Sequence, residues 1–311
     1  MTPRGKARLA RLSEKDGSVR EYDQRPSWLT LRAPEPGTLE KLQEMFKDLS
    51  LHTICENAAC PNAGECFGRK TATFLILGDL CTRNCRFCNV THGRPLPPDP
   101  AEPEHLAVAV KQLGLKYVVL TSVTRDDLPD GGAGHFAACI NRLHAVCPGT
   151  DVEVLVPDFQ GDERAIERVL EAGVTVFGHN IETVPELYQT VRPGADYQRS
   201  LAVLKAAKKT NPDVFTKSGL MLGLGEERGQ VRQVLQDLRS VGCDILTLGQ
   251  YLRPSLDHLP IVRYIPPDEF KVWEDEAYEL GFAFVAAGSF VRSSYKAKEA
   301  AQAAKVRGDK L

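Results

Sequence analysis

From about residue 73 onward, the chain alternates short apolar runs with stretches of helical periodicity, and this alternation restricts the fold more than any other feature. Because the runs are almost continuously apolar and rich in Val, Ile and Leu, they are typical of a parallel sheet covered by helices. The predicted strands are Thr73–Leu77, Tyr117–Thr121, Val152–Val156, Thr175–Asn180, Lys217–Leu222, Ile245–Gln250 and Phe282–Ala286. Helices are predicted between them, near residues 103–114, 134–147, 161–172, 183–191, 197–210, 226–242 and 267–280.

Seven β/α units in one chain predict an α/β fold with a full or partial (β/α) barrel. The alternative is an open doubly wound sheet, but the glycine fingerprint G-x-G-x-x-G does not follow any predicted strand. We expect three parts: an N-terminal extension over residues 1–72, a partial barrel over 73–290 and a C-terminal segment over 291–311.

Six of the nine cysteines form two triplets, and each triplet is one thiolate short of a closed metal site. The second triplet, Cys81-x3-Cys85-x2-Cys88, follows the first predicted strand, at the end of a barrel where catalytic groups lie. Both sets therefore indicate a metal centre with a position left for another ligand. A zinc site completed by His92 stays open as an alternative.

The second triplet has an aromatic residue, Phe87, before its last cysteine, and this pattern resembles the radical S-adenosylmethionine superfamily. The resemblance implies that the triplet holds a [4Fe–4S] cluster whose open iron binds the amino and carboxyl groups of S-adenosylmethionine. Phe87 would then lie near the adenine. One electron would cleave the cofactor to methionine and a 5'-deoxyadenosyl radical, which removes hydrogen from an unactivated C–H bond.

The first triplet, Cys55-x4-Cys60-x5-Cys66, together with the sequence Arg292-Ser293-Ser294-Tyr295, is similar to the lipoyl synthase family. That resemblance extends over roughly residues 50–296, and it implies an auxiliary [4Fe–4S] cluster bound by Cys55, Cys60, Cys66 and Ser294. On residue types alone, Ser293 or Ser294 is instead predicted to cap a helix that begins in KAKEAAQAAK.

The same resemblance implies insertion of two sulfur atoms, at C6 and C8 of a protein-bound octanoyl-lysine, with the auxiliary cluster as sulfur donor. The implied partners are octanoylated lipoyl-carrier domains, namely E2 subunits of 2-oxoacid dehydrogenases and the H protein of glycine cleavage. An electron donor such as ferredoxin or flavodoxin and an iron–sulfur carrier protein are also implied. The rival within the superfamily is a methylthiotransferase, which would add an RNA-binding module that we do not expect here.

Polar residues at the ends of later strands are the remaining candidates for the site. Asn180 and Glu182 are predicted either to bind the ribose hydroxyls of S-adenosylmethionine or to cap the next helix. Arg192 is predicted either to pair with the methionyl carboxylate or to form a surface ion pair.

Three further groups are weighed in the same way. The run Arg125-Asp126-Asp127 is predicted to lie around the methionyl amino group or to form an ion pair that stabilises its loop. Arg253 and His258 are predicted to meet the acyl protein substrate. Lys217 and Ser218 are placed at a strand start and interpreted as structural.

Charge and hydropathy exclude some classes of function. A net charge of −2 gives no reason to expect nucleic acid or a membrane surface as partner. No apolar stretch is long enough for a membrane span, and we expect no secretory signal. Cytoplasmic localisation, with Cys139, Cys147 and Cys243 as reduced buried residues, is therefore predicted.

Overall fold

The computed structural model describes residues 25–30, 38–54, 60, 62 and 73–308. Cys55 and Cys66, two of the predicted ligands, lie outside these residues. No helix among the described residues has the length and apolarity needed to cross a membrane.

The described strands form one sheet in sequential order, β1 to β8. Strand β1 pairs antiparallel with β2, and all later neighbours are parallel. Within the described residues the last strand does not return to the first, so the sheet is an open, partial barrel, as predicted. The strands are β1 His52–Thr53, β2 Thr73–Ile76, β3 Tyr117–Ser122, β4 Asp151–Leu155, β5 Val176–Gly178, β6 Phe215–Leu222, β7 Ile245–Gln250 and β8 Phe284–Gly288.

Helices cover the outer face of this sheet, and local sequence signals set their ends. Asp162 and Asp196 accept hydrogen bonds from the first turns of their helices, and Gly114 ends another in the left-handed conformation. The helices are α1 Thr38–Asp48, α2 Glu102–Leu113, α3 Ala133–Val146, α4 Glu163–Glu171, α5 Tyr188–Val191, α6 Tyr197–Thr210, α7 Arg228–Ser240, α8 Pro267–Glu279 and α9 Ala297–Gly308.

The C-terminal helix α9 covers the amino-terminal end of the barrel. Its buried alanines, Ala297, Ala300, Ala301 and Ala304, form one apolar cluster with residues that begin strands, among them Tyr117 and Ile245. Small side chains let the helix approach the strands closely. The opposite end, where the cysteine loop follows β2, is therefore the end at which a ligand can enter.

The seven predicted strands are confirmed, and their ends differ from the prediction by no more than two residues. The helix predicted over residues 183–191 is wrong in extent. The chain forms a short 3-10 turn, Pro185–Leu187, and then the single turn α5. Val184 has an extended backbone, with φ −75° and ψ 155°, as is typical of a residue before proline, so no helix begins before Pro185.

Candidate active site

The cysteine loop leaves β2 through a tight bend that buried polar groups hold in place. Leu77 and Gly78 both have positive φ, 69° and 87°. The Leu77 N–H donates to the buried carboxylate of Glu102 at 2.9 Å, and Arg125 donates to the Leu77 carbonyl at 3.2 Å. At the bend the Leu77 N–H and carbonyl no longer pair with a neighbouring strand, and these two hydrogen bonds satisfy them.

Cys81 is fixed on both sides by backbone hydrogen bonds. Its N–H donates to the Thr91 carbonyl, and its carbonyl accepts from Gly93, each at 2.9 Å. Its Sγ accepts from the backbone N–H groups of Thr124 at 3.3 Å and Arg83 at 3.4 Å. These two backbone donors fix the position of the sulfur.

Arg83, within the loop, joins it to the ends of two neighbouring strands. Its guanidinium donates to both oxygens of Asp126, at 2.6 and 2.8 Å, and to both oxygens of Asp158, at 2.8 and 2.9 Å. Asp158 follows β4 and its side chain is fully buried, and Arg199 also lies 3.3 Å from it. The loop is therefore positioned by a network of charged hydrogen bonds.

The three thiols lie close enough to influence one another's charge. Burial raises the pKa of Cys85, and it raises that of Cys88 to about 12, with the neighbouring sulfurs adding to both shifts. In the described part of the chain, no three Cys, His, Asp or Glu side chains converge on a point where one metal ion could sit. In a cubane each thiolate binds a different iron, so three thiolates fit a [4Fe–4S] cluster that leaves one iron open.

Asn180, Glu182 and Arg192 form a polar group beside this loop, in which Asn180 is buried and the other two are half-buried. The Asn180 amide donates to Glu182 Oε1 at 3.0 Å, so both side chains point the same way, as predicted. Arg192 donates to the carbonyls of Asn180 and Ile181, at 2.9 and 3.1 Å. Among the described residues its buried Nε has no partner. Neither Asn180 nor Glu182 caps a helix, and Arg192 is not a surface residue.

The charges of these side chains affect the pKa values of one another and of the nearby thiols. Burial raises the pKa of Glu182, and the charges of Arg192 and Arg292 oppose that shift. The Arg192 charge also lowers the pKa of Cys85 against the effect of burial. A guanidinium with an unpaired edge beside the thiols is suited to an anionic ligand group.

An apolar wall and a cavity complete this end of the barrel. Phe87 packs against a buried cluster made of Val191, Leu224, Tyr251 and Leu259. A cavity of about 450 Å³ reaches Cys85 and Cys88, and Pro193 and His258 also line it. This volume is in the range of small-molecule sites.

Cys60 is the one cysteine of the first triplet among the described residues. It lies beside the C-terminal segment, although more than 200 residues separate the two in the chain. The Asn62 amide donates to the Phe290 carbonyl at 2.6 Å, and Asn62 is only 3% exposed. Burial raises the pKa of the Cys60 thiol, while the Asn62 backbone N–H and the Arg292 charge oppose that rise. The fold therefore brings one cysteine of the first triplet next to the Arg292-Ser293-Ser294 sequence.

The two serines of that sequence have different surroundings. Ser293 Oγ accepts a hydrogen bond of 2.5 Å from the Asn180 amide. Helix α9 begins at Ala297, so its capping position falls on Lys296 and neither serine caps it. Ser293 is thus bound to Asn180, and neither serine has the capping role that residue types alone predicted.

Comparison with known proteins agrees with this geometry. The sequence matches the Radical SAM superfamily over residues 75–238. A lipoyl synthase from Caldicellulosiruptor saccharolyticus is 55% identical over 275 residues, which cover 88% of this chain and 96% of the relative. One from Methylococcus capsulatus is 56% identical over 278 residues, covering 89% and 86%.

The chain belongs to the lipoyl synthase family of radical S-adenosylmethionine enzymes. Solved structures add support for the fold alone. Methylornithine synthase superposes with a TM-score of 0.53 at 15% identity, covering 87% of this chain and 95% of that one. HydG, a maturase of the [FeFe]-hydrogenase, gives a TM-score of 0.53 at 15% identity, covering 83% and 63%.

Membership in the lipoyl synthase family implies [4Fe–4S] clusters and S-adenosylmethionine as cofactors, in agreement with the sequence interpretation.

Two other groups of polar residues, predicted from the sequence to lie near the site, form contacts within the protein. Arg125 pairs with Asp127 at 2.8 Å, which is the loop-stabilising alternative. Arg253 donates to the His258 carbonyl at 2.9 Å, and the His258 ring donates to the Cys88 carbonyl at the same distance. These contacts fasten the loop after β7 to the cysteine loop.

The role of Asp158 and the contact of Asn62 with Phe290 were not predicted from the sequence. Asp158 comes three residues after the end of β4, where polar residues of a barrel gather at the active end, and that rule would have found it. Asn62 lies inside the first triplet, and no local pattern indicates its contact with residue 290.

Proposed function

We propose that this protein inserts two sulfur atoms, at C6 and C8 of a protein-bound octanoyl-lysine, with Cys81, Cys85 and Cys88 binding one cluster and Cys55, Cys60, Cys66 and Ser294 binding the other. The Asn180 side chain is the observation that carries this assignment. Its amide donates to Glu182 at 3.0 Å, beside the second triplet, and to Ser293 at 2.5 Å, next to Ser294 in the chain. This contact supports two cluster sites on either side of a common space.

The cofactor side of that space uses the groups already described. When bound by the second triplet, a [4Fe–4S] cluster supplies the electron that cleaves S-adenosylmethionine to a radical. Asn180 and Glu182 bind the ribose hydroxyls, and the free edge of Arg192 pairs with the methionyl carboxylate. Phe87 and its apolar neighbours cover the adenine and exclude water.

The ligands proposed for the auxiliary cluster are of two chemical kinds. Three thiolates are soft ligands for iron, whereas the Ser294 oxygen is hard and is the weakest member of the set. Arg292 places positive charge next to Cys60 and helps to balance the charge of bound thiolates. A site with one weak ligand is suited to a cluster that gives up sulfur.

The partners follow from the chemistry of the substrate. The acyl chain is carried by an octanoylated lipoyl-carrier domain, such as an E2 subunit or the glycine cleavage H protein. An electron donor such as ferredoxin or flavodoxin and an iron–sulfur carrier protein are the other proposed partners. The proposed parts of the chain are an extension over residues 1–72 that carries the auxiliary-cluster cysteines, a barrel over 73–290 and a C-terminal segment over 291–311 that carries the serines.

Mass spectrometry tests the reaction directly. An octanoylated lipoyl-domain peptide is incubated anaerobically with the iron-loaded enzyme, S-adenosylmethionine and a reductant. We expect a mass gain that corresponds to two sulfur atoms. An unchanged peptide, in a reaction where 5'-deoxyadenosine accumulates, would contradict the assignment.

Two variants separate the cluster roles. Cys85→Ala should abolish 5'-deoxyadenosine formation, because the second triplet then lacks a ligand. Cys60→Ala should keep cofactor cleavage measurable and lose sulfur insertion. Lipoyl product from Cys60→Ala would show that the first triplet is not the sulfur donor.

A further inference from the structure

A hydrogen bond joins the proposed cofactor site to the C-terminal segment. The Asn180 amide donates to Ser293 Oγ at 2.5 Å and to Glu182 Oε1 at 3.0 Å. Asn180 is buried, so water does not compete readily for these bonds. Its orientation is therefore set by two partners that lie on different parts of the chain.

Two glycines allow this contact. A Cβ atom at Gly219 in β6 would lie 2.7 Å from Thr247 Oγ1, 2.9 Å from Asn180 Oδ1 and 3.1 Å from Ser293 Oγ. A Cβ atom at Gly249 in β7 would lie 2.2 Å from the Val291 carbonyl oxygen. The segment that carries the serines is thus packed directly on the sheet. Because the packing is close, a displacement of Ser293 shifts the Asn180 side chain.

A second contact runs beside the first. The positive charge of Arg292 interacts with Glu182 and also with Cys60. Asn62 holds Phe290 from the N-terminal side at 2.6 Å. Residues 290–294 therefore touch the auxiliary-cluster side and the cofactor side within a few residues.

We infer that Ser293 is a positioning residue that couples occupancy of the auxiliary site to affinity for S-adenosylmethionine. This inference rests on the proposed function, because it takes Asn180 as a cofactor ligand and Ser294 as a cluster ligand. When Ser294 binds the auxiliary cluster, residues 290–294 hold Ser293 against Asn180, and the Asn180 amide is oriented toward the ribose. When the auxiliary site is empty, these residues hold the Asn180 amide less firmly, and the affinity for S-adenosylmethionine falls. By linkage, bound cofactor favours the ordered segment to the same degree.

A double-mutant cycle on cofactor affinity tests the coupling. The dissociation constant for S-adenosylmethionine is measured anaerobically by equilibrium dialysis, without reductant, for the wild type, Ser293→Ala, Cys60→Ala and the double variant. Each single substitution should raise the dissociation constant, Ser293→Ala by roughly three- to tenfold for the loss of one hydrogen bond. The double variant should be no weaker than the weaker single variant, because both remove the same contact.

Controls separate positioning from general damage. Ser293→Thr keeps the hydroxyl and should bind close to wild type. Thr150→Val removes a buried hydroxyl bonded to Leu115 at the amino-terminal end of the barrel and should not change affinity. Iron analysis verifies that Ser293→Ala retains both clusters, and circular dichroism verifies its fold.

The outcomes are distinct. An unchanged dissociation constant for Ser293→Ala overturns the inference, and so do multiplicative effects in the double variant, which would mean independent sites. A wild-type protein that carries iron at neither triplet, or does not bind the cofactor at all, overturns the proposed function instead.

Discussion

The carboxylate of Asp158 is enclosed between Arg83 and the protein interior, with both of its oxygens bonded to that one guanidinium at 2.8 and 2.9 Å. The pair links the loop of the second cysteine triplet to the end of β4, 75 residues along the chain. Without the Asp158 charge, Arg83 would keep only Asp126, the more exposed of its two carboxylate partners. The loop therefore depends on Asp158 more than on any exposed neighbour.

Asp158→Asn should lower the free energy of unfolding by about 2–3 kcal/mol, since it loses a charged hydrogen-bond pair inside the protein. The matched control is Asp126→Asn, which removes the same contact to Arg83 at a carboxylate that is 32% exposed. That substitution should cost less than about 1 kcal/mol. Urea unfolding measures both, and equal losses would contradict the role given to burial.

The same pair predicts a specific acid dependence. Burial alone would raise the pKa of Asp158, but the hydrogen bonds and charge of Arg83 outweigh it and lower the pKa to about 2. A depressed folded-state pKa stabilises the fold above the unfolded value near pH 4, and this stabilisation is lost as the pH falls toward 2. Between about pH 4 and pH 2, the free energy of unfolding should fall less steeply in Asp158→Asn than in wild type. Parallel curves would contradict the assignment.

Gly249→Ala should displace the C-terminal segment, because the new methyl group would meet the Val291 carbonyl oxygen at 2.2 Å. We expect iron at the auxiliary site to fall, with iron at the second triplet retained. The matched control is Gly229→Ala in α7, where no atom lies within 4 Å of the added Cβ. It should be neutral or more stable by about 0.5–1 kcal/mol, since alanine favours the helix. Full iron in Gly249→Ala would show that the close packing is not required.

The sheet was predictable because each parallel strand carries its own apolar run, bounded by turn signals that local sequence fully contains. The second triplet was predictable for the same reason, since its ligands and its aromatic residue lie within one stretch of eight residues in the loop after a strand. By contrast, the short β1 has too few residues for a pattern, and its pairing with β2 depends on the rest of the fold.

Long-range contacts set the other limit. The Asn180–Ser293 bond spans 113 residues, and neither residue type indicates the other. Arg83 was visible only as a polar residue between cysteines, because its partners Asp126 and Asp158 come from two other strand ends. Gly219 and Gly249 look like ordinary strand glycines in the sequence. Their role appears only when the C-terminal segment is placed on the sheet.

A buried ion pair under the site gives the last prediction. Lys217 donates to Glu153 Oε1 at 2.7 Å, and the Tyr117 hydroxyl donates to Oε2 of the same carboxylate at 2.6 Å. Both charged side chains are almost fully buried. Lys217 lies in the amino-terminal half of β6 and Glu153 at the middle of β4, which agrees with the structural interpretation of Lys217.

Glu153→Gln should lower the free energy of unfolding by about 3–5 kcal/mol, because it leaves the Lys217 ammonium buried without a counter-charge. The double variant Glu153→Gln with Lys217→Met should lose less than the sum of the two single variants, since it removes both charges. Lys271→Met, at an exposed pair with Asp275 on α8, is the matched control and should change stability by no measurable amount. Urea unfolding gives these values, and equilibrium dialysis should show unchanged S-adenosylmethionine affinity in every variant that folds. Additive losses would mean that the two charges do not compensate each other, and a loss of cofactor affinity in the folded double variant would place Lys217 in the active site rather than beneath it.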